Sequence, residues 1–277
     1  MAESGIVQLK SEQAVASVYV DPFSARIRMD DYEGRPEAVL QLIQQHIRSW
    51  VEKIILKVRK PDREGFLHAG FMEEASVAGY FNGEDMHFMV QYPDSVRGTS
   101  GILISESAKI MEMVSKAGPG RAPDLSIVSP AGMNDAEELS ALFKQVFQVY
   151  PTPVEDPSYI RKTMLEGTIY YLIRFDGRVV SAGSAEVNRQ YNNAELTDCA
   201  TLTEASGNGY MLSIMSRIDH ELIRKGIRSR YSIARSMSYP VNVVFHRLGF
   251  SCSGCLSKNV KIETGLEDMN VWTRFDG

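Results

Sequence analysis

Apolar and polar positions follow two rhythms along this chain, a period of two and a period near 3.6, and the switches between them predict its elements. Residues 15–31 alternate over short spans and read as two strands around Asp21-Pro22. Val39, Leu40, Leu42, Ile43, Ile47 and Trp50 make a helical stripe between Pro36 and Val51. Residues 53–58 read as a strand and 64–69 as a short helix stopped at Gly70. Residues 76–81 and 86–92 read as a hairpin turning on Asn82-Gly83-Glu84-Asp85. Residues 102–114 are helical again.

Gly118-Pro119-Gly120-Arg121-Ala122-Pro123 reads as a linker. It divides the chain into a smaller α/β unit, residues 1–120, and a second unit, residues 121–277. The second unit opens with a strand at 125–128. A helix capped by Asn134 follows, carrying Ala136, Leu139, Leu142, Phe143, Val146 and Phe147. Tyr150-Pro151-Thr152-Pro153 breaks it. The next helix has Asp156 as its cap and Pro157 at its first position. Strands at 169–174 and 178–188 flank the turn Asp176-Gly177. After a strand–loop–helix stretch come a strand at 229–234, a helix at 241–248, and strands near 250–256 and 269–275. This order gives a mixed α/β (α+β) fold: a mostly antiparallel sheet with one crossover helix near its middle and helices on its faces.

The stretch from Ala194 to Gly226 organises that unit. An extended segment, 195–202, runs into the loop Gly207-Asn208-Gly209. A helix with Met211, Leu212, Ile214, Met215, Ile218, Leu222 and Ile223 on one face follows. Such a unit points free backbone N–H groups and the positive end of a helix dipole at one place, which attracts phosphate. The alternative is a turn that uses its glycines for geometry alone.

Composition narrows the function. The 277 residues include 30 Lys and Arg against 35 Asp and Glu, a net charge of −5, so nucleic acid is not the expected partner. No apolar run approaches the ~20 residues that span a bilayer, and the first residues lack a signal-peptide core. Three cysteines do not make a disulfide framework, which places the chain in a reducing cytoplasm. Cys252 and Cys255 form one CxxC without further ligands at zinc spacing, so no metal is expected.

The first unit echoes the end of the second. Leu67-His68-Ala69-Gly70-Phe71 parallels His246-Arg247-Leu248-Gly249-Phe250, and Glu84-Asp85-Met86 parallels Glu267-Asp268-Met269. The first unit has no G-x-G of its own and reads as a half-copy without the phosphate site.

Three features together resemble the GCN5-related N-acetyltransferase (GNAT) superfamily: the element order, Thr203-Glu204-Ala205-Ser206-Gly207-Asn208-Gly209 ahead of an apolar helix, and the closing Val244–Phe250 segment. The whole chain is similar to the β-lysine Nε-acetyltransferases. The carriers are Tyr150-Pro151-x-Pro153-Val154-x-Asp156-Pro157, Ala194–Thr201, Ala234-Arg235-Ser236, Asn242 and Glu267-x-Met269-Asn270-x-Trp272. That resemblance implies a cytoplasmic enzyme that moves an acetyl group from acetyl-CoA to the side-chain amine of β-lysine, making a compatible solute. A homodimer is compatible with it.

The same resemblance implies the site residues. Leu202, Thr203, Ser206, Gly207, Asn208, Gly209, Tyr210, Asn242 and Phe245 would meet acetyl-CoA. Tyr150, Arg235 and Glu267 would meet the amine, with Arg235 on its carboxylate. Glu195 and Asp198 would bind the ammonium and relay its proton. They stand three apart, so they share a face only if a bulge intervenes. A main-chain N–H near Thr201–Thr203 would polarise the thioester carbonyl. The chain departs from the family pattern at Thr203, Glu204 and Ser206, where Pro, Arg or Gln, and Arg are usual. Phe245 replaces the usual tyrosine acid, which leaves Tyr239 as the candidate donor. Acetylation of a polyamine, peptide or protein amine, and non-catalytic acyl-CoA binding, are the competing readings.

Overall fold

A computed structural model describes residues 4–93, 97, 101–147, 150–262 and 265–277, with the side chains of 101–105 excepted. The first elements are β1 (Gly5–Lys10), β2 (Val15–Asp21), β3 (Arg26–Glu33), α1 (Pro36–Gln44), β4 (Lys53–Arg59), α2 (Arg63–His68), β5 (Met72–Phe81) and β6 (Glu84–Gln91). Then come α3 (Gly101–Ser115), β7 (Ser129–Pro130), α4 (Ala136–Val146), α5 (Pro157–Glu166), β8 (Ile169–Phe175), β9 (Arg178–Asn188) and β10 (Asn193–Thr201). The chain closes with α6 (Tyr210–Arg224), β11 (Ser229–Arg235), α7 (Tyr239–Arg247), β12 (Ser251–Ile262) and β13 (Gly265–Phe275).

Most of these elements lie where the periodicity puts them, and the departures have local causes. Residues 125–127 form a 3-10 turn rather than a strand, and only Ser129–Pro130 pairs with β8. Asn134 does not cap α4. It lies within a 3-10 turn, where the Asp135 carboxylate accepts the Gly132 N–H at 2.7 Å. The Asp156 cap is present: its side chain accepts from Ser158 N at 2.8 Å, and Pro157 opens α5. The exposed strand β1 carries too little alternation to be read from sequence. Helix α3 packs on α7, so the segment before the linker is tied to the second sheet.

The two sheets share one topology. The first has the order β1-β2-β3-β4-β6-β5, and the second β12-β13-β11-β10-β9-β8-β7. Among the described residues each contains a single parallel pair, β3–β4 and β10–β11, in an otherwise antiparallel sheet. Each parallel pair is bridged by a crossover helix, α1 or α6. A parallel pair requires such a crossover. Beside each pair, β3 and β10 carry one extra residue in a bulge against the preceding strand.

The repeat extends to side chains. Asp85 Oδ1 accepts from Gly79 N at 3.0 Å, and Asp268 Oδ1 accepts from Lys258 N at 2.6 Å. Both recipients have positive φ. The joint between the sheets is reciprocal in the same way. Asn193 Nδ2 donates to Tyr80 O while Arg26 Nη1 donates to Asn259 O. Ser229 Oγ donates to Ala78 O while Lys53 Nζ donates to Ser257 O. Residues 193 and 26 head the two equivalent strands, as do 229 and 53. The halves are therefore related by a pseudo-twofold arrangement.

An apolar cluster from both halves seals the joint, with Tyr80, Phe81 and Phe88 against Tyr231, Leu256 and Val271. Separate cores lie under each sheet. In the first half the turn equivalent to the glycine loop is closed. A Cβ on Gly34, at φ +113°, would stand 2.5 Å from Gln13 O, and the adjoining helix starts with Pro36, which has no N–H to offer. Among the described residues no helix is long and apolar enough to cross a membrane, and no His, Cys, Asp and Glu group is arranged to hold a metal.

Lys53 is fully buried at the joint, bound to Glu74 at 2.8 Å and to Ser257 O at 2.6 Å. Burial pushes its ammonium down to about 8 despite Glu74. Removing the carboxylate strands a buried cation, which typically costs ~3–5 kcal/mol. Glu74→Ala should therefore lower stability by about that much; urea unfolding of the purified variant measures it, and a change below ~1 kcal/mol would show that the ion pair is not what joins the halves.

Candidate active site

A cleft of about 1710 Å³ opens between the two sheets. Its wall on the second sheet is built by the alternation of β10. Ala194, Leu196 and Ala200 point into the apolar core, while Glu195, Thr197 and Cys199 point into the cleft. The bulge between Thr197 and Ala200 breaks this alternation. Asp198, at φ +50°, turns to the cleft side as well. The two carboxylates expected to require a bulge are thus brought to one face by one.

Glu195 has Glu186 directly across the antiparallel ladder. Two carboxylates at that distance cannot both ionise freely. Burial and the Glu186 charge push Glu195 up to about 7, against the pull of Lys57, Arg28 and the Tyr231 hydroxyl. Glu186 is also raised, by burial and then by Asp198. Asp198 is nearly buried. It accepts from Ser184 Oγ at 2.6 Å and from Tyr150 OH at 3.0 Å, yet burial still raises it. Tyr231 on β11 is pushed well above its usual range by burial, so it enters the cleft as a proton donor.

The opposite wall comes from the first half. Asp30 binds Arg28 through Nε at 2.7 Å and Nη2 at 3.1 Å, and Lys57 Nζ at 2.8 Å. Lys57 lies 3.3 Å from Tyr80 OH. Burial opposes every charge here. Even so, Arg28 and Lys57 hold Asp30 well below the usual carboxylate range, and Asp30 raises both cations. Arg28, Asp30, Lys57, Glu186 and Tyr231 were all missed by motif. The signal available for the first two was a run of charges at period two, Arg26-Ile27-Arg28-Met29-Asp30, inside a strand.

The glycine loop is not part of this wall. β10 leads into a 3-10 turn at Thr203–Ala205, then Gly207 and Gly209 at φ +82° and +77°, then α6. Ser206 Oγ and Asn208 Nδ2 fold back onto Leu202 O and Ala205 O. Among the described residues no hydrogen bond takes up the N–H groups of Gly207, Asn208 or Gly209, and the first N–H groups of α6, from Tyr210 on, have no partner within the helix. A Cβ on either glycine would meet nothing within 4 Å. Glu204 is exposed and paired with Arg178 at 3.7 Å. The pairing of β10 with β11 ends at Glu195–Tyr231, and beyond it the strands part. Leu202 N–H is taken by Val180 O, so by the alternation of the ladder Thr201 turns its N–H toward the gap.

The remaining expected residues divide. Tyr150 and Arg235 reach the cleft, and one edge of the Arg235 guanidinium, Nε and Nη2, is engaged by Glu267 at 3.2 and 2.7 Å. Glu267 serves that pair and stands outside the wall. Asn242 is fully buried; it donates to Arg235 O and Ser238 O and accepts from Asn270 and Trp272. Phe245 is also fully buried, edge-on to Phe250. Neither has surface to offer acetyl-CoA, so both belong to the core rather than to ligand contact. Tyr239 packs on the same core at the start of α7.

Glu195 binds its proton more tightly folded than unfolded. The native state therefore holds more protons between the usual glutamate range and about 7, and stability falls as pH rises through that window. Glu195→Gln should flatten this slope, as read by urea unfolding between pH 5 and 8; a variant with the wild-type slope would remove Glu195 as its source.

No protein-family model matches the chain. It is 34% identical to the N-acetyltransferase YodP of Bacillus subtilis over 271 residues, covering 96% of this chain and 98% of that one. It is 32% identical to the β-lysine N(6)-acetyltransferase of Methanosarcina mazei over 229 residues, 74% of this chain and 84% of that one. It is also 32% identical to the β-lysine N(6)-acetyltransferase of Methanococcus maripaludis over 231 residues, 81% and 83%. With the repeated sheet, the strand–glycine loop–helix unit and the carboxylate-lined cleft, these likenesses show that the chain belongs to the N-acetyltransferase family of YodP and the β-lysine N(6)-acetyltransferases.

Proposed function

We propose that the protein transfers an acetyl group from acetyl-CoA to the side-chain amine of a small diamino acid, β-lysine foremost. The observation that carries this reading is the Glu195–Glu186 pair, set where the parallel strands β10 and β11 part. An aliphatic amine near pKa 10.4 arrives as ammonium and must lose a proton before it can attack. The paired carboxylates hold that ammonium, and Glu195, poised at about 7, accepts its proton. Tyr231 and Lys57 keep the Glu195 side chain in place as its charge changes.

The residues around the glycine loop fit acetyl-CoA. Three unengaged N–H groups and the dipole of α6 converge beside two glycines with open space above them, which suits a pyrophosphate. When bound, acetyl-CoA supplies the activated acetyl group. Thr201 N–H, in the gap between β10 and β11, is placed to polarise its carbonyl. β-Lysine as acceptor is supported by the names of the methanogen relatives. Acetylation removes one of its two positive charges and leaves a neutral zwitterion, which suits a compatible solute.

Two outcomes test the reading. With β-lysine and acetyl-CoA, kcat/KM should rise with pH through about 7. Glu195→Gln should lose that limb and lower kcat ~10²–10⁴-fold, the usual contribution of a positioned base; an unaltered pH profile would clear Glu195. Gly207→Trp fills the loop and should abolish coenzyme A binding by calorimetry with the circular dichroism spectrum unchanged, whereas undiminished affinity would remove the loop from the cosubstrate site.

A further inference from the structure

The pseudo-twofold arrangement places equivalent strands on opposite walls of one cleft. Arg28 is the third residue of the β3–β4 pairing, and Glu195 is the third of the β10–β11 pairing. In the second half that position carries an acid. In the first half, where the glycine-loop equivalent is closed by Gly34 and Pro36, it carries a base. The cleft is therefore bipolar. Glu186, Glu195 and Asp198 stand together on one wall, and Arg28 and Lys57, with Asp30 between them, stand together on the other.

We propose that Arg28, supplied by the amino-terminal half, is the residue that binds the acceptor's carboxylate and selects amino acids over simple amines. This rests on the acetyltransferase reading above. Asp30 takes up Nε and Nη2 of Arg28, which fixes the plane of the guanidinium. Among the described residues no hydrogen bond takes up Nη1. The side chain lies 5.5 Å over the Tyr19 ring and keeps 30% of its surface open. Asp30 neutralises one of the two cations it touches, which leaves this cluster with one net positive charge; of the other charged residues nearby, Arg26 is matched by Asp21 and Asp31 by Arg59. A diamino acid carries an ammonium at one end and a carboxylate toward the other, and so matches both walls. A polyamine would present a second ammonium to Arg28. Arg235, another arginine of the cleft, is held by Glu267 through the same two atoms, but there one carboxylate faces one cation, whereas Asp30 is shared between Arg28 and Lys57. The amino-terminal half, which has no cosubstrate loop of its own, thereby has a task in specificity.

The test is a cycle between residue and substrate group. β-Lysine and its carboxamide would be assayed with acetyl-CoA on the wild type, Arg28→Gln, Arg28→Lys and Arg235→Gln. A charge-assisted hydrogen bond to an open guanidinium is worth ~1.5–3 kcal/mol, so the wild type should prefer the free acid by ~10–100-fold in kcat/KM. In Arg28→Gln this preference should fall to within ~3-fold of unity. Arg28→Lys should restore part of it, and Arg235→Gln should retain it. If Arg28 served only as a counter-ion to Glu195, both acceptors would slow together and the preference would survive, which overturns the proposal. The wild-type comparison needs no variant to fold, and a wild type that acetylates acid and carboxamide equally also overturns it. A wild type that acetylates neither removes the acceptor reading itself, a result distinct from loss of preference.

Discussion

The parallel contact between β10 and β11 lasts three residues, Asn193–Glu195 against Ser229–Tyr231, and the site depends on its ending there. A parallel pair must be joined by a crossover, here α6, whose N-terminus lies at the end of β10 where the strands separate. Separation frees main-chain donors on β10. The bulge after Thr197 turns Asp198 toward the cleft instead of the core. Had the pairing run on to Thr201, the gap would be closed by ladder hydrogen bonds, and the Thr201 N–H would face a partner strand instead of open space.

The first half repeats this plan and puts it to another use. Its own parallel pair, β3–β4, also parts after a few residues and also bears a bulge, at Asp30. The turn after β3 is packed against Gln13 and Ala14, so this half has no open glycine loop of its own. What survives is the charged register facing inward. Burying Arg28 and Lys57 near Asp30 is costly, because desolvation opposes each charge. The same charges set the field in which Glu195 and Glu186 titrate. Without Lys57 and Arg28, Glu195 would sit higher still and hold its proton at neutral pH.

The joint between the halves makes this arrangement rigid. Reciprocal bonds from Asn193 and Arg26, and from Ser229 and Lys53, tie the head of each parallel pair to the opposite sheet. These bonds start from buried side chains on the strands that carry Glu195 and Arg28 and on their parallel partners, and they end on main-chain carbonyls of the opposite sheet, so they tie the spacing of the two walls to both backbones. Tyr80 and Tyr231, 5.6 Å apart, close the floor between them.

Much of this was legible in the chain itself. Periodicity located the helices and most strands, the glycines marked the loop ahead of α6, and the paired tripeptides Glu84-Asp85-Met86 and Glu267-Asp268-Met269 reported a repeat whose aspartates do the same work in each half. These are local signals, written within a few residues of the features they specify. The tertiary structure alone decided which side chains meet. The register that opposes Glu186 to Glu195, the bulge that turns Asp198, and the packing that brings Arg28 from 167 positions away in sequence are products of long-range pairing. The same holds for the roles withdrawn from Asn242 and Phe245. Nothing in a residue's neighbours along the chain says whether it will be buried or open, because burial is settled by elements that arrive from elsewhere.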